Sequence, residues 1–350
     1  MNPLIRAVAR FTTPLLPEDY LTLINPLWAT GGIRARVEAL IPETATATTL
    51  TLRPSRPLAP HRAGQYVRLG VDIDGVRHWR SYSLTSPASS SSPIMSVTVK
   101  ATQAGLVSRQ LGRGTSVGDV IRMEPAAGDF VLPDPPPERL LLIAAGSGVT
   151  PIMGMLRTLA SAPDQPRVDL IVCASDRADV IFGEELRAQA GASAWFTLHE
   201  RHTRAAGRLD LRQLGDYVGE WEKLPTWICG PPALLDGAEA LWSQRGILDQ
   251  LHVERFQTKL LLSDGGGGDV RFSRSDVELT LDGNTSVLSA GEAAGILMPN
   301  GCRMGICHTC VLPLISGQVR DLRTGRVHGE PGDLVQTCIS APACDLEIGI

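Results

Sequence analysis

The chain has 350 residues and a mass of 37.5 kDa, too long for a single domain of the usual ~100–200 residues, so two or three are expected. Hydrophobic residues at 43% allow a sizeable core, and a net charge of −4 lacks the basic footprint of a nucleic-acid binder. No apolar run approaches the ~20 residues of a membrane helix, and the opening residues are too short an apolar stretch for a secretory signal, so a cytoplasmic protein is expected.

Residues 1–30 read as an N-terminal extension. Tyr20, Leu21, Ile24, Leu27 and Trp28 are spaced as one apolar face of a short helix, which would pack on the next domain or meet a partner or membrane surface. From residue 31 to 134 the texture is β. Short runs rich in Val, Thr and Tyr end at Gly, Pro or Ser and predict a small antiparallel barrel. One strand carries Arg80, Ser81, Tyr82, Ser83, Leu84 and Thr85. By itself this would be an ordinary strand with an exposed arginine. Val97 and Val99 alternate into the core ahead of Lys100. Gly105, Val107 and Ser108 fall where a turn meets a helix start, the end that offers free N–H groups to phosphate.

After the proline run PDPPPE, residues 135–257 alternate strand and helix, which implies a doubly wound parallel α/β sheet. Gly146, Ser147, Gly148, Thr150 and Pro151 follow the strand LLLIAA and open a helix, with Thr as its cap and Pro in the first helical position. A strand, a glycine turn and a helix in that order suit a dinucleotide pyrophosphate. Cys229, Gly230 and Pro231 follow the strand PTWI, and HVERF, containing Glu254, ends the segment. Residues 258–268 finish in four glycines and read as a linker. The last domain, 269–350, opens on a hairpin pattern turning at Asp282, Gly283 and Asn284. It holds ten acids and six arginines, hence the whole net charge, and its acidic face is either solvated surface or a guide to a basic partner.

Cys302, Cys307, Cys310, Cys338 and Cys344 crowd into this domain, while Cys173 and Cys229 stand alone upstream, a distribution unlike a disulfide framework. Four residues separate Cys302 from Cys307, two separate Cys307 from Cys310, and Cys338 follows after 27 more. This is the spacing of plant-type 2Fe-2S ligation. Gly301 and Gly305 let the backbone approach inorganic sulfide closely. A zinc site built on Cys307, Cys310, Cys338 and Cys344 is the competing arrangement, but it leaves Cys302 idle and splits its second pair by five residues.

On these residues, 269–350 resembles a plant-type ferredoxin and 31–256 the ferredoxin–NADP reductase superfamily. Together they resemble hybrid reductases with flavin, nicotinamide and cluster domains, and most closely the reductases that serve membrane di-iron fatty acyl desaturases. The resemblance implies three domains: an antiparallel β-barrel for FAD, a doubly wound α/β domain for NADPH or NADH, and an α+β β-grasp domain for the cluster. It puts Arg80 on the flavin pyrophosphate, Tyr82 against the isoalloxazine, Ser83 near its N5, and Gly105 and Ser108 at a second pyrophosphate contact. Cys229 and Glu254 would lie near the nicotinamide and the flavin edge, and Tyr82, Ser83, Cys229 and Glu254 form the implied catalytic set. Relatives that bind the 2′-phosphate often carry arginine where Ser175 stands, so Arg177 or Arg201 would substitute, and NADPH is slightly favoured.

A hydride carries two electrons and the cluster takes one, so FAD is expected to divide the pair. The implied partner is a protein electron acceptor, a di-iron desaturase or hydroxylase. Alternatives are a soluble ring-hydroxylating or epoxidising oxygenase, or a redox-sensing 2Fe-2S interaction protein that does not turn over.

Overall fold

The computed structural model describes residues 24–28, 32–73, 76–88, 93–102, 105–256 and 266–350. The expectations for Tyr20 and Leu21, and for most of the linker, lie outside these. Pro26–Trp28 form one 3-10 turn, and Ile24 and Trp28 are 74% and 50% exposed, so these two do not supply a buried apolar face. The chain divides into two compact units, residues 1–77 with 81–256, and residues 78–80 with 257–350.

In the first unit, apart from residues 78–80 of β4, strands β1 (Ile33–Pro42), β2 (Ala47–Pro54), β3 (Tyr66–Ile73), β4 (Val76–Ser83), β5 (Met95–Lys100) and β6 (Val120–Met123) form a six-stranded sheet in the order β4-β3-β6-β1-β2-β5. Its two outer strands meet where Leu84, just past β4, bridges Val97 of β5. That bridge closes the sheet on itself, as the barrel expectation requires. Alternate residues such as Ile33, Ala35 and Val37 point into the core, the period-two signature of a half-buried strand. Helix α1 (Leu106–Arg113) packs Val107 and Leu111 into the same core. The four-residue β6 carries little pattern of its own, and its place between β3 and β1 is a tertiary result.

The nucleotide part of this unit is a parallel sheet in the order β11-β10-β7-β8-β9. Its strands are β7 (Arg139–Ala145), β8 (Arg167–Ala174), β9 (Phe196–His202), β10 (Thr226–Cys229) and β11 (Leu251–Glu254). Helices α2 (Val149–Ala160), α3 (Gly183–Ala192), the single turn α4 (Thr203–Ala206) and α5 (Pro232–Arg245) connect them. In β7, Leu140, Leu142 and Ala144 enter one core cluster while Leu141 and Ile143 enter another, so both faces of the strand are covered. This explains why LLLIAA reads as an unbroken apolar run. Each buried Leu or Ile of this run contributes ~1.5–3 kcal/mol by leaving water. The chain first builds outward from β7 through β8 to β9, then returns to the other side of β7 as β10. Ligands of such sheets bind in the crevice at this reversal, beyond the C-terminal strand ends.

The second unit holds strands β12 (Gly267–Phe272) and β13 (Val277–Asp282), helix α6 (Val287–Ala293), and strands β14 (Val311–Ser316), β15 (Val319–Asp321), β16 (Val327–His328), β17 (Leu334–Gln336), β18 (Ser340–Pro342) and β19 (Leu346–Ile348). The main sheet, β13-β12-β19-β14-β17, is mixed, with β12 and β19 parallel. Two expectations shift here. Gly267 and Gly268 are not linker but the start of β12, paired with Asp282 and Leu281. A β-carbon on Gly268 would lie 2.5 Å from the Cys344 carbonyl carbon, so close backbone packing requires glycine there. The hairpin turns one strand earlier than expected, at residues 273–276. The turn at Asp282 instead leads into α6, its carboxylate accepting from the Asn284 and Thr285 amides at 3.1 and 2.7 Å.

Candidate functional site

The dinucleotide crevice is built by backbone contact. A β-carbon on Gly148 would lie 2.1 Å from the Cys229 carbonyl oxygen, and one on Gly230 would lie 3.0 Å from the Ala145 methyl. The turn after β7 and the end of β10 therefore meet with no room for a side chain between them. Gly146 adopts φ +57°, and a β-carbon there would lie 3.8 Å from Lys100 Nζ, so the last residue of β5 reaches the same turn. Across β10 and β11, Cys229 pairs with Glu254. The fold thus gathers Lys100, Gly146, Gly148, Cys229, Gly230 and Glu254 from four strand ends. Pro231 is exposed directly before α5.

Some motif residues do a different job from the one expected. Thr150 does not cap α2. It is buried inside the first turn, its hydroxyl donating to the Ser147 carbonyl at 2.9 Å, with Pro151 third rather than first in the helix. That bond holds the glycine turn in shape and leaves the helix N-terminus uncapped by any side chain. Val99, Val107 and Leu84 are core residues of the barrel, so only their backbones are available to a cofactor.

On β4, Ser83 is buried while Arg80, Ser81 and Tyr82 are half-buried, Tyr82 packing against the barrel core, and Thr85 just beyond the strand is buried too. Arg80 donates to the Trp79 carbonyl at 2.7 Å. Thr85 is fixed from both sides, its hydroxyl 2.9 Å from Ser96 and its carbonyl accepting from Arg157 of α2 at 2.7 Å. A β-carbon on Gly154 would lie 2.4 Å from the Leu84 carbonyl oxygen, so α2 presses directly on the end of the RSYSLT strand. Gly105 caps α1 without a side-chain bond, and a β-carbon there would lie 2.2 Å from Ser108 Oγ. Bare amides at a helix start and a backbone with no space for a side chain fit a pyrophosphate.

Burial sets the ionisation in the crevice. Cys229 is fully buried, which pushes its thiol well above the ordinary range, with the Glu254 charge adding to the effect. Burial also raises Glu254 to about 7. A neutral thiol beside a carboxyl that titrates near neutrality makes a dry, weakly charged surface, suited to excluding water from hydride transfer.

The residues expected near the 2′-phosphate are not equivalent. Ser175 and Arg177 are exposed beyond β8. Arg201 is consumed by its own loop, donating to the carbonyls of Ala206, Gly207 and Arg208 and to the Tyr217 hydroxyl. Arg204, which sequence reasoning missed, lies at the crevice end of the sheet. Its amide donates to the Ser175 carbonyl at 3.1 Å and its guanidinium pairs with Asp176. Nothing local marked it, because its proximity to Ser175 comes from the parallel pairing of β8 with β9.

In the second unit the four cysteines converge as two pairs. Cys302 hydrogen-bonds Cys307, and Cys310 hydrogen-bonds Cys338. In each pair the hydrogen bond between the sulfurs lowers one thiol, Cys307 or Cys310, and raises its partner, Cys302 or Cys338. The loop amides of Cys302 and Met304 point at Cys307 and Cys302 sulfur, at 3.2 and 3.3 Å, and the Thr309 hydroxyl at Cys307 sulfur, at 3.2 Å. Arg303, Gly305 and His308 take φ of +59°, +72° and +56°, which curls the loop so that its amides face inward. Two pairs of unbridged thiols ringed by N–H donors fit two irons that each need two thiolates. Among the described residues no cluster of His, Cys, Asp and Glu has the geometry of a single-ion site. Cys344 is exposed and apart, its thiol 3.4 Å from the Asp345 carbonyl.

A closed antiparallel barrel, a parallel nucleotide sheet and a tetrathiolate loop in one chain define an NAD(P)H-dependent flavin and iron–sulfur electron-transfer reductase. Residues 42–132 match the oxidoreductase FAD-binding domain family, 142–240 the oxidoreductase NAD-binding domain family, and 270–343 the 2Fe-2S iron-sulfur cluster binding domain family. The chain is 45% identical over 352 residues to an NADPH oxidoreductase of Mycobacterium tuberculosis, covering 100% of this chain and 92% of that one. It is 28% identical to the glycine betaine monooxygenase reductase subunit of Pseudomonas aeruginosa, across 93% and 98% of the two chains. Phthalate dioxygenase reductase shares the fold, with a TM-score of 0.61 at 23% identity over 91% of this chain and 98% of that one. The chain belongs to the ferredoxin reductase family, in the form that joins FAD, NAD(P) and 2Fe-2S domains. When bound, the flavin exchanges two electrons with nicotinamide and one at a time with the cluster. No described helix is long and apolar enough to cross a membrane.

Proposed function

We propose that this reductase draws on NADPH and delivers electrons to the metal centre of an oxygen-activating enzyme, a di-iron fatty acyl desaturase or hydroxylase. The observation that carries the reading is the order of sites along one chain. A nucleotide crevice and a flavin barrel precede a tetrathiolate loop, an arrangement whose remaining task is to serve an external acceptor. Whole-length similarity to an NADPH oxidoreductase supports the nucleotide, and Arg204 is the cation at the crevice that a 2′-phosphate would recruit from Asp176. The desaturase assignment rests on the overall segment order, including the N-terminal extension.

A second reading, the reductase component of a soluble oxygenase, is favoured by similarity to the glycine betaine monooxygenase reductase subunit. Reconstitution separates them. The purified reductase is mixed with a membrane di-iron desaturase or with a soluble ring-hydroxylating oxygenase, and product formed per NADPH oxidised is measured. Tight coupling with the desaturase supports the first reading; coupling only with the soluble oxygenase replaces it with the second. Fast bleaching of the visible spectrum by NADH but not NADPH under anaerobic conditions would overturn the nucleotide assignment.

A further inference from the structure

The middle of the tetrathiolate loop is held from outside by a charged pair that no ligand motif includes. Gly305 directs its amide toward the Cys338 thiol. Its carbonyl faces the other way and accepts from Gln336 Nε2 at 3.0 Å and from Arg323 Nη1 at 3.3 Å. A β-carbon on Gly305 would lie 2.7 Å from that same Nη1 and from Ile339 Cδ1, so the guanidinium fills the space a side chain would need. Arg323 is in turn gripped by Asp321. Its Nη2 and Nε reach the two carboxylate oxygens at 2.8 and 3.3 Å, and its amide reaches one of them at 2.8 Å. Asp321 is buried, so the grip is rigid. Arg323 is held charged first by its bond to Asp321, with the Cys338 and Cys302 sulfurs adding to the effect. A second pair, Arg303 with Glu292, braces the loop from the helix side.

We propose that the Asp321–Arg323 pair sets the reduction potential of the cluster, with Arg323 as a positioning residue that holds Gly305 and rests its positive charge on the loop that carries the thiolates. Reduction adds one negative charge to the four-thiolate site. A fixed cation whose Nη1 rests on the loop favours that charge, and a carboxylate bonded to its other edge, through Nε and Nη2, opposes the effect more weakly. Neutralising the two members must therefore move the potential in opposite directions. A merely structural pair would move it the same way, because either loss would loosen the same loop.

The test uses the full-length holoprotein, titrated spectroelectrochemically with the electron paramagnetic resonance signal of the reduced cluster as readout. Arg323→Gln is expected to lower the equilibrium constant for one-electron reduction about tenfold, a shift of ~59 mV. Asp321→Asn is expected to raise it, and Arg323→Lys to stay near the wild type. Shifts of the same sign in Arg323→Gln and Asp321→Asn, or no shift in either, would overturn the proposal. Should Arg323→Gln fail to retain a cluster, Asp321→Asn decides alone: a raised potential supports the device, and an unchanged or lowered one overturns it.

Discussion

Gly148 and Cys229 touch backbone to backbone, with the space for a side chain on Gly148 already filled by the Cys229 carbonyl oxygen. Gly148→Ala must push the turn after β7 away from β10. Overpacking of this kind costs ~1–3 kcal/mol, and here the displaced backbone is the proposed nucleotide cradle. The expected result is a melting temperature lower by several degrees and a NADPH KM raised at least tenfold, with flavin content unchanged. Thermal melts and steady-state kinetics check it.

Cys229 is held protonated by burial, and only the thiolate reacts with alkylating reagents. In the native protein at pH 8, iodoacetamide should label exposed Cys344 and leave Cys229 and Cys173 untouched, since burial raises Cys173 to about 11 as well. Peptide mass spectrometry reads the result, and rapid labelling of Cys229 would show that the crevice is wet.

Glu254 carries a pH signature of definite sign. Its folded value, about 7, lies above the ordinary 4.5, so the folded state binds the proton more tightly than the unfolded chain. Its contribution to stability is therefore fully present below pH ~4.5 and is lost as pH rises to about 7. Glu254→Gln abolishes that loss. The variant's melting temperature relative to wild type should climb between pH 5 and 7 and level off above, in a series of melts across that range.

Arg201 and Arg204 should separate in kinetics although both are arginines near β8. Arg204→Ala is expected to raise the NADPH KM roughly tenfold, about the ~1.4 kcal/mol of one modest ionic contact, and to leave the NADH KM unchanged. Arg201→Ala removes bonds to three loop carbonyls and Tyr217, so it should lower the melting temperature and affect both nucleotides alike.

Cys307→Ser should abolish the cluster bands in the visible spectrum while bleaching of the flavin by NADPH persists, because the segments that match the FAD- and NAD-binding families lie, residues 78–80 apart, in the other compact unit. Cys344→Ser should leave both chromophores intact. Reduction of cytochrome c, measured alongside, should fall with Cys307→Ser and hold with Cys344→Ser.

Much of the site was legible from local signals. The tetrathiolate spacing is written within nine residues plus one distant cysteine, and the turn after β7 announces itself because glycine must follow a buried strand where backbone meets backbone. Thr150 was misjudged for the opposite reason. A threonine near a helix start suits a cap, and only the course of the turn decides that its hydroxyl bonds to Ser147 instead. The hairpin at residues 273–276 was missed because Asp282–Gly283 is the stronger turn sequence, yet it leads into α6.

The sequence by itself pointed to three cofactor sites, to the four cysteines proposed to ligate the cluster, and to the strands that alternate or run buried. These depend on side-chain chemistry and on periods of a few residues. The tertiary structure alone decided that Cys229 lies beside Glu254, that Lys100 reaches Gly146, that Arg204 pairs with Asp176 while Arg201 bonds its own loop, and that Arg323 packs on Gly305. Each of these joins residues from different strands or loops. Such neighbours are set by sheet order and register, which no local pattern encodes.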